Sequence, residues 1–218
     1  GGWGTNQRMG TPRNPWDLDT ARVPGGSSAG SGVAVASDLV TCATGTDTGG
    51  SVRLPAAYCG LTGLKVSKNY LPTDGIYPLS HTLDTPGPMA RSVADVALML
   101  AVMRGAEAWA IDQDMKNGQG LFAFQRASVR GLKLGIIDKS ERQVCDADIL
   151  KSYDAAVDRL ASLGAQIAVF SAPDRYGELA DANGAITIFE GYGYHKALYE
   201  VAQNPMDEDV RKRMLTGR

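Results

Sequence analysis

Two short segments rich in glycine and serine are the part of the sequence best suited to chemistry. The first is Gly25-Gly26-Ser27-Ser28-Ala29-Gly30-Ser31-Gly32, and the second is Gly45-Thr46-Asp47-Thr48-Gly49-Gly50-Ser51. A serine hydroxyl is a weak nucleophile until a neighbouring base removes its proton. Glycines next to such a serine leave backbone N–H groups open to a developing negative oxygen. The two segments therefore suit the transfer of an acyl group to a serine.

Other interpretations of the first segment are open at this point. A flexible linker fits its composition, but the segment runs directly into the apolar residues 33–36. Residues 26–30 also fit the G-x-S-x-G nucleophile elbow of α/β-hydrolases, which would make an esterase with Ser28 as nucleophile. That elbow requires a strand before it, which Pro24 opposes, and a downstream histidine, for which His81 and His195 are the candidates.

The second segment contains the D-T-G triplet of aspartic proteases at residues 47–49. That chemistry requires two carboxylates that share a proton. The triplet occurs once, and only a homodimer would supply the second carboxylate. The helix-rich pattern described below also opposes the mostly β fold of those proteases.

Taken together with their surroundings, the two segments resemble the amidase signature family. The resemblance extends upstream to residues 11–17 (TPRNPWD) and downstream to residues 52–65 (VRLPAAYCGLTGLK) and 83–95 (LDTPGPMARSVAD). It covers about the first hundred residues densely and the later ones thinly, with Ser27 and Ser51 placed 24 residues apart. The resemblance implies a hydrolase that cleaves amide carbon–nitrogen bonds.

In enzymes of this family a neutral lysine takes a proton from a relay serine, which takes one from the nucleophile. By the motif match, Ser51 is the nucleophile that forms an acyl-enzyme, and Ser27 is the proton relay. The match also implies a cis peptide bond between Gly26 and Ser27. The family's lysine lies several dozen residues before the relay serine, so we expect it outside this chain and expect these residues alone not to turn over substrate normally.

The same match assigns supporting roles around the nucleophile. Four backbone N–H groups would form the oxyanion hole, those of Thr48, Gly49, Gly50 and Ser51. Asp47 and Arg53 would brace the turn that carries these groups. Ser28 would either form a hydrogen bond near the relay or serve as a helix N-cap.

The expected partner is a small-molecule amide substrate. Leu54 stands where we expect glutamine in the glutaminase/transamidase subunit of a tRNA-dependent amidotransferase, which makes that subunit the alternative. An amidase-like scaffold that only binds its ligand is a further alternative. Residues 1–4 match a stretch that borders the acyl pocket, and His195 would either face this pocket or pack within a helix.

Strands alternate with helices along the chain, which predicts an α/β fold. The pattern predicts strands over 40–43, 61–66, 132–137 and 166–170, and helices over 28–37, 54–59, 93–103, 149–163, 185–203 and 207–215. Residues 1–26 are rich in turn formers and predict a loop. The resemblance implies a mixed β-sheet core covered by helices on both faces, with residues 1–218 as a single partial domain, incomplete at both ends, and a signature core over about residues 1–100.

The composition narrows the class of partner. Lys and Arg number 22 against 24 Asp and Glu, a net charge of −2 that gives no electrostatic reason to expect nucleic acid or an anionic membrane. The three cysteines are odd in number and widely spaced, which favours reduced thiols over a disulfide framework or a metal site. We therefore expect a cytoplasmic enzyme with no cofactor and no metal, and a homodimer is left open.

Overall fold

The computed structural model describes residues 1–170 and 176–218, and the chain divides into two compact units. Unit 1 comprises Gly1–Phe122 and Asn183–Arg218, and unit 2 comprises Ala123–Ala182. Both units combine strands with helices, so the α/β prediction is confirmed. Within the described residues, no helix has the length and apolar character that a membrane span requires.

Unit 1 contains a three-stranded antiparallel sheet of β1 (Cys42–Asp47), β2 (Thr62–Gly63) and β3 (Thr85–Ala90), with β3 in the centre. In the register of β1 and β3, Cys42 lies opposite Ala90 and Asp47 opposite Thr85. Pairing to β3 thus extends β1 into the glycine-rich segment, so the prediction of a strand over residues 40–43 was placed too early. Because β1 ends at Asp47, it delivers the chain directly to the Gly49-Gly50-Ser51 turn.

The central strand β3 was not predicted because it contains two prolines. Proline cannot donate a hydrogen bond and is normally confined to sheet edges. The carbonyl of Pro88 accepts from the N–H of Leu64, next to β2, so the nitrogen of Pro88 faces the same side. Pro86, two residues earlier, faces that side too. Pro86 and Pro88 thus lack backbone N–H donors on the side that faces β2. Because β2 is only two residues long, few hydrogen bonds are formed on that side and few are lost.

The helices are α1 (Ala29–Ala36), α2 (Arg53–Tyr58), α3 (Val93–Met103), α4 (Ala108–Asn117), α5 (Ala147–Ser162), α6 (Tyr176–Tyr199) and α7 (Glu208–Leu215), with a 3₁₀ helix over Gly120–Arg126. The predicted bounds are matched by α3 and lie within two residues for α1, α2, α5 and α7. The helix α4 and the 3₁₀ helix were not predicted. α6 begins nine residues before its predicted start, and the added residues 176–182 are exposed, so apolar periodicity gave no signal for them.

Three small apolar clusters form the core of unit 1. One consists of Val52, Ala56 and Met89, with Leu61 packed against it, and it joins α2 to the sheet. Val66, Leu71 and Leu100 form the second, and the third lies between α3, α4 and the 3₁₀ helix. The α2 cluster fixes the helix that begins two residues after Ser51, so burial of apolar area also positions the candidate nucleophile.

Unit 2 is built around a strand–helix–strand motif. The parallel strands β4 (Lys133–Ile137) and β5 (Gln166–Phe170) pair with Lys133 opposite Gln166, and α5 connects them. β5 has its predicted bounds, and α5 ends as predicted before Gly164, whose φ of 96° gives a left-handed C-terminal turn.

All three cysteines are free thiols. Cys59 is buried, Cys42 is half-buried and Cys145 is exposed. The Sγ–H of Cys59 donates to the carbonyl of Pro24 at 3.5 Å, and burial raises the pKa of the Cys59 thiol. Cys59 thus acts as a core residue that supports the segment before Ser27.

Candidate active site

The two predicted catalytic serines lie just before neighbouring helices. Ser51 is half-buried in the turn between β1 and α2, and Ser27 is exposed two residues before α1. The N–H of Ser28 donates to the carbonyl oxygen of Ser51 at 3.2 Å, so backbone joins the two segments. Ser27 and Ser51 line one cavity of about 680 Å³. The Gly26–Ser27 peptide bond is cis, as the resemblance implies.

The relay contact itself is not formed. Within the described parts of the chain, neither the Ser27 hydroxyl nor the Ser51 hydroxyl is hydrogen-bonded to another residue. The structure therefore brings the two side chains to one cavity without joining their oxygens. Both hydroxyls are open to a substrate or to a further side chain that enters the cavity.

No lysine lines this cavity among the residues that the structure describes. The basic side chain on its wall is that of Arg213, and a guanidinium stays protonated and cannot act as a base. Lys65, which follows the glycine-rich motif, donates from Nζ to the carbonyl of Val66 at 3.0 Å and is not part of the wall. The base that the resemblance calls for is thus not supplied by the described residues.

Gly26 is a glycine because backbone crowds it. A Cβ atom at this position would lie 2.6 Å from the nitrogen of Gly4 and 2.7 Å from its Cα, and closer still to the carbonyl oxygen of Gly1. These are backbone atoms, which cannot rotate away as a flexible side chain can. The segment that precedes Ser27 is therefore held between the N-terminal residues and α1.

This crowding makes Gly26→Ala a test of the segment. We expect the substitution to lower the free energy of unfolding by about 2–4 kcal/mol, because the backbone must shift to admit the methyl group. Denaturant unfolding measures the change. Gly30→Ala in α1 is the matched control, since nothing lies within 4 Å of its Cβ position and helix propensity favours alanine there by up to about 1 kcal/mol. Equal stability of the two variants would contradict the packing argument.

Asp47 organises the nucleophile turn, residues 48–51, which is named for the candidate nucleophile Ser51 that it carries. Its side chain is fully buried, at 0% exposure, and accepts hydrogen bonds from the N–H groups of Gly50 (2.7 Å) and Val52 (3.2 Å). The Arg53 guanidinium donates to both carboxylate oxygens, at 2.9 and 3.0 Å. Burial opposes ionisation of this carboxyl, but the bonds from Arg53, Gly50 and Val52 together hold the pKa of Asp47 below its ordinary value. The predicted bracing pair is thus formed.

The four predicted oxyanion donors are not equivalent. The N–H of Gly50 is already used by Asp47. The N–H groups of Thr48, Gly49 and Ser51 have no acceptor among the described residues, and these three residues line the cavity. The turn therefore offers three unoccupied donors beside the Ser51 hydroxyl.

Ser28 ties the start of α1 to β1. Its hydroxyl donates to the carbonyl of Thr46 at 3.4 Å and accepts from the N–H of Thr46 at 3.3 Å. Although Ser28 occupies the N-cap position of α1, its side chain makes no capping hydrogen bond. The hydroxyl instead fixes the distance between the two serine segments.

Asp84 is a residue of the site to which sequence reasoning assigned no role. Its carboxylate accepts from the hydroxyl of Thr48 at 2.6 Å and from the N–H groups of Leu79 (2.7 Å) and Ser80 (2.9 Å). It is buried at 7% exposure. Asp84 therefore connects the nucleophile turn to the loop of residues 77–84. No local signal in the sequence marks this role, because the strand β3 that follows Asp84 was itself not predicted.

Two residues of α6 also reach the site, and no local pattern in the sequence signals either role. The side-chain amide of Asn183 donates to the carbonyl of Thr48 at 3.0 Å. Glu190 accepts from the hydroxyls of Ser80 and Thr82, both at 2.5 Å. Burial opposes ionisation of Glu190, but these bonds and the nearby His81 lower its pKa overall.

His195 is a packing residue. It is buried, stacks on Tyr77 with ring centroids 4.6 Å apart, and its Nε2 lies 2.5 Å from the carbonyl oxygen of Pro78. It is not among the residues that line the cavity of Ser51. Of the two interpretations that the sequence left open, packing is the one observed.

The rest of the cavity wall combines apolar and polar side chains. It includes Trp3, Leu54, Leu79, Tyr199, Val210 and Met214, together with the polar Asn183, Thr187, Asp207, Asp209 and Arg213. Of residues 1–4, the first three line the cavity and Gly4 does not.

Comparisons with known proteins identify the family of the chain. A sequence model of the Amidase family matches residues 1–215. The 2-amino-5-chloromuconic acid deaminase of Comamonas testosteroni is 43% identical over 79% of this chain and 35% of its own length. A glutamyl-tRNA(Gln) amidotransferase subunit from Bdellovibrio bacteriovorus is 41% identical over 95% of this chain and 46% of its own length.

A solved crystal structure of an amidase superimposes with a TM-score of 0.81 at 28% identity, covering 99% of this chain and 45% of that one. The chain thus spans less than half the length of these relatives. The match of the family model over nearly every residue, and the similarity of the fold, show that the chain belongs to the amidase family.

Proposed function

We propose that this chain carries the nucleophile and the proton relay of an enzyme that hydrolyses a small-molecule amide. The observation that supports the proposal most directly is that Ser27 and Ser51, 24 residues apart, line one cavity beside unoccupied backbone donors. Ser51 is the nucleophile and Ser27 the relay. The base that deprotonates Ser27 is a lysine outside this chain, as the resemblance implies.

The reaction begins when Ser27 loses its proton to this base and takes the proton of Ser51. The Ser51 oxygen then attacks the amide carbonyl carbon, and the carbonyl oxygen becomes negative. The N–H groups of Thr48, Gly49 and Ser51 stabilise this oxygen, and loss of one such donor typically costs about 3–4 kcal/mol in the barrier. Asp47 acts indirectly, because it keeps the turn in the conformation that presents these donors.

The carbon–nitrogen bond breaks when Ser27 passes the proton that it took from Ser51 to the leaving nitrogen, and Ser27 then regains its own proton from the protonated base. The acyl group remains on Ser51 as an ester. A water molecule, deprotonated through the same relay, attacks this ester, and the proton passes back to the Ser51 oxygen as the acid product leaves. The products are a carboxylic acid and an amine or ammonia, and no cofactor is consumed.

The substrate class follows from the wall of the cavity. Leu54, Leu79 and Met214 are apolar and lie on the wall that also contains Ser51, so we propose an acyl group with an apolar portion. Glutamine is the alternative substrate, because one relative belongs to an amidotransferase. The wall residue Leu54 offers no hydrogen bond to a side-chain amide, which favours the small apolar amide.

A fluorophosphonate probe on the full-length protein tests the proposal. Such a probe phosphonylates an activated serine, and peptide mapping then locates it. We expect the label on Ser51 and release of amine from a panel of aliphatic, aryl and urea-type amides. Label on Ser28 would indicate the α/β-hydrolase alternative, and preferential ammonia release from glutamine would indicate the amidotransferase role. Absence of both label and turnover would leave only a binding scaffold.

We also propose a cytoplasmic location and a small-molecule partner rather than nucleic acid. The free thiols of Cys42, Cys59 and Cys145 suit a reducing compartment, and the net charge of −2 offers no attraction to polyanions. Whether two copies associate as a homodimer is tested by light scattering on the full-length protein.

A further inference from the structure

The side chain of Asn183 makes a long-range contact with the nucleophile turn. Its Nδ2 donates to the carbonyl oxygen of Thr48 at 3.0 Å, across 135 residues of sequence. Its Oδ1 lies against Gly49, where a Cβ atom would be 2.6 Å from this oxygen. A carbonyl oxygen only accepts, so the group that faces it must be the NH₂ of the amide. The amide is therefore oriented by its partner.

This contact acts on one specific peptide unit. The carbonyl of Thr48 and the N–H of Gly49 belong to the same planar group and point in opposite directions. Holding the oxygen in place therefore fixes the direction of the N–H. The N–H of Gly49 is one of the three unoccupied donors of the turn, so Asn183 controls a group that would face the substrate oxygen.

The peptide unit needs this anchor because its neighbours do not restrain it. Asp84 holds the hydroxyl of Thr48 at 2.6 Å, and Asp47 holds the N–H of Gly50 at 2.7 Å. Between these two fixed points, the 48–49 peptide can rotate about the line joining its Cα atoms, because Gly49 adopts many backbone conformations. Asn183 supplies the third fixed point.

The helix that carries Asn183 is itself secured. Glu190 binds the hydroxyls of Ser80 and Thr82. The Asn183 side chain thus projects from a support that is fixed to the loop bound by Asp84.

We propose that Asn183 is a positioning residue, which fixes the 48–49 peptide so that the Gly49 N–H stabilises the oxyanion. The inference rests on the proposed amidase function. It assigns to α6 a role in the rate of the chemical step. Substrate binding is expected to depend little on Asn183, because the group it controls acts most strongly on the charged oxygen of the transition state.

Kinetics of the full-length enzyme with an amide and its thioamide counterpart test this role. Asn183→Asp keeps the shape and replaces the donor with an oxygen that repels the Thr48 carbonyl, and Asn183→Ala removes the side chain. We expect kcat for the amide to fall by about 10- to 100-fold in both variants, with KM nearly unchanged. The kcat for the thioamide should fall by a smaller factor, because sulfur accepts hydrogen bonds weakly. Asn117→Ala, an exposed asparagine at the end of α4, is the control and should match the wild type for both substrates.

The outcomes separate the inference from the function on which it rests. Wild-type kcat and an unchanged amide-to-thioamide ratio in both variants would overturn the positioning role, while turnover that depends on Ser51 would leave the proposed function intact. An equal fall in kcat for both substrates together with a lowered Tm would also overturn the role. A rise in KM with kcat unchanged would overturn it too. Turnover that survives Ser51→Ala would overturn the proposed function and the inference with it.

Discussion

Ser51→Ala is expected to lower kcat of the full-length enzyme by about 10⁴- to 10⁶-fold, because it removes the atom that forms the acyl-enzyme. The residual rate would come from binding and the backbone donors alone. Amine release at saturating substrate measures the loss. Stability should change little, since the Ser51 hydroxyl has no hydrogen-bond partner among the described residues.

Ser27→Ala should also lower kcat, by about 10³-fold or more, because without the relay the nucleophile keeps its proton. Losses that act through one unit are not additive, so the double variant should be no slower than Ser51→Ala. Ser37→Ala is the matched control, as Ser37 is an exposed serine at the end of α1 and its loss should leave kcat unchanged. A Ser51→Ala enzyme within tenfold of wild type would disprove the nucleophile assignment.

The second large effect is expected at Asp47. Asp47→Ala leaves the buried N–H groups of Gly50 and Val52 without their acceptor, and each unsatisfied group costs about 1–3 kcal/mol. The free energy of unfolding should therefore fall by about 3–5 kcal/mol, and kcat should fall as well because the turn loses its form. Denaturant unfolding and amine release measure the two losses separately.

Arg53→Ala provides the contrast for this prediction. The side chain of Arg53 is 53% exposed, so solvent screens part of its ion pair, and Asp47 keeps its backbone donors when Arg53 is removed. The expected loss is therefore smaller, about 1–2 kcal/mol. If the two substitutions lower the free energy of unfolding equally, the backbone hydrogen bonds to Asp47 are not the source of the effect of Asp47→Ala.

The pH dependence of the Asp47 contribution has a definite sign. Folding lowers the pKa of this carboxyl below its ordinary value of 3.8. The contribution is therefore fully present above that value and is lost as the pH falls through the lower pKa of the folded state. Asp47→Asn should remove part of the loss of stability that wild type shows as the pH falls below 3.8. An unchanged acid transition in the variant would contradict this assignment.

The local motifs of the site were readable from the sequence because each is continuous in the chain. Ser27 and Gly26 lie in one segment, and Asp47 and Ser51 lie in another. Hydrophobic periodicity predicted the same bounds for α3 and β5 as the structure has. These features depend on neighbours that are a few residues away.

The partners from distant segments could not be read in this way. Asn183 contacts Thr48 across 135 residues, and Glu190 reaches Ser80 across 110. No local sequence pattern marks either residue, because the role of each depends on which loop the fold places beside α6. The central strand β3 was missed for a different reason. Its prolines signal a sheet edge, and only the shortness of β2 makes a central position tolerable.

The thiol of Cys59 offers a way to observe motion of the segment that carries Ser27. Its Sγ–H is bonded to the carbonyl of Pro24, three residues before Ser27, and a buried thiol with a raised pKa holds little of the reactive thiolate. An alkylating reagent can reach this buried thiol only when the structure around it opens, and the Pro24 segment is part of that structure. The rate of alkylation at Cys59, with exposed Cys145 as the fast internal reference, therefore reports how often this structure opens.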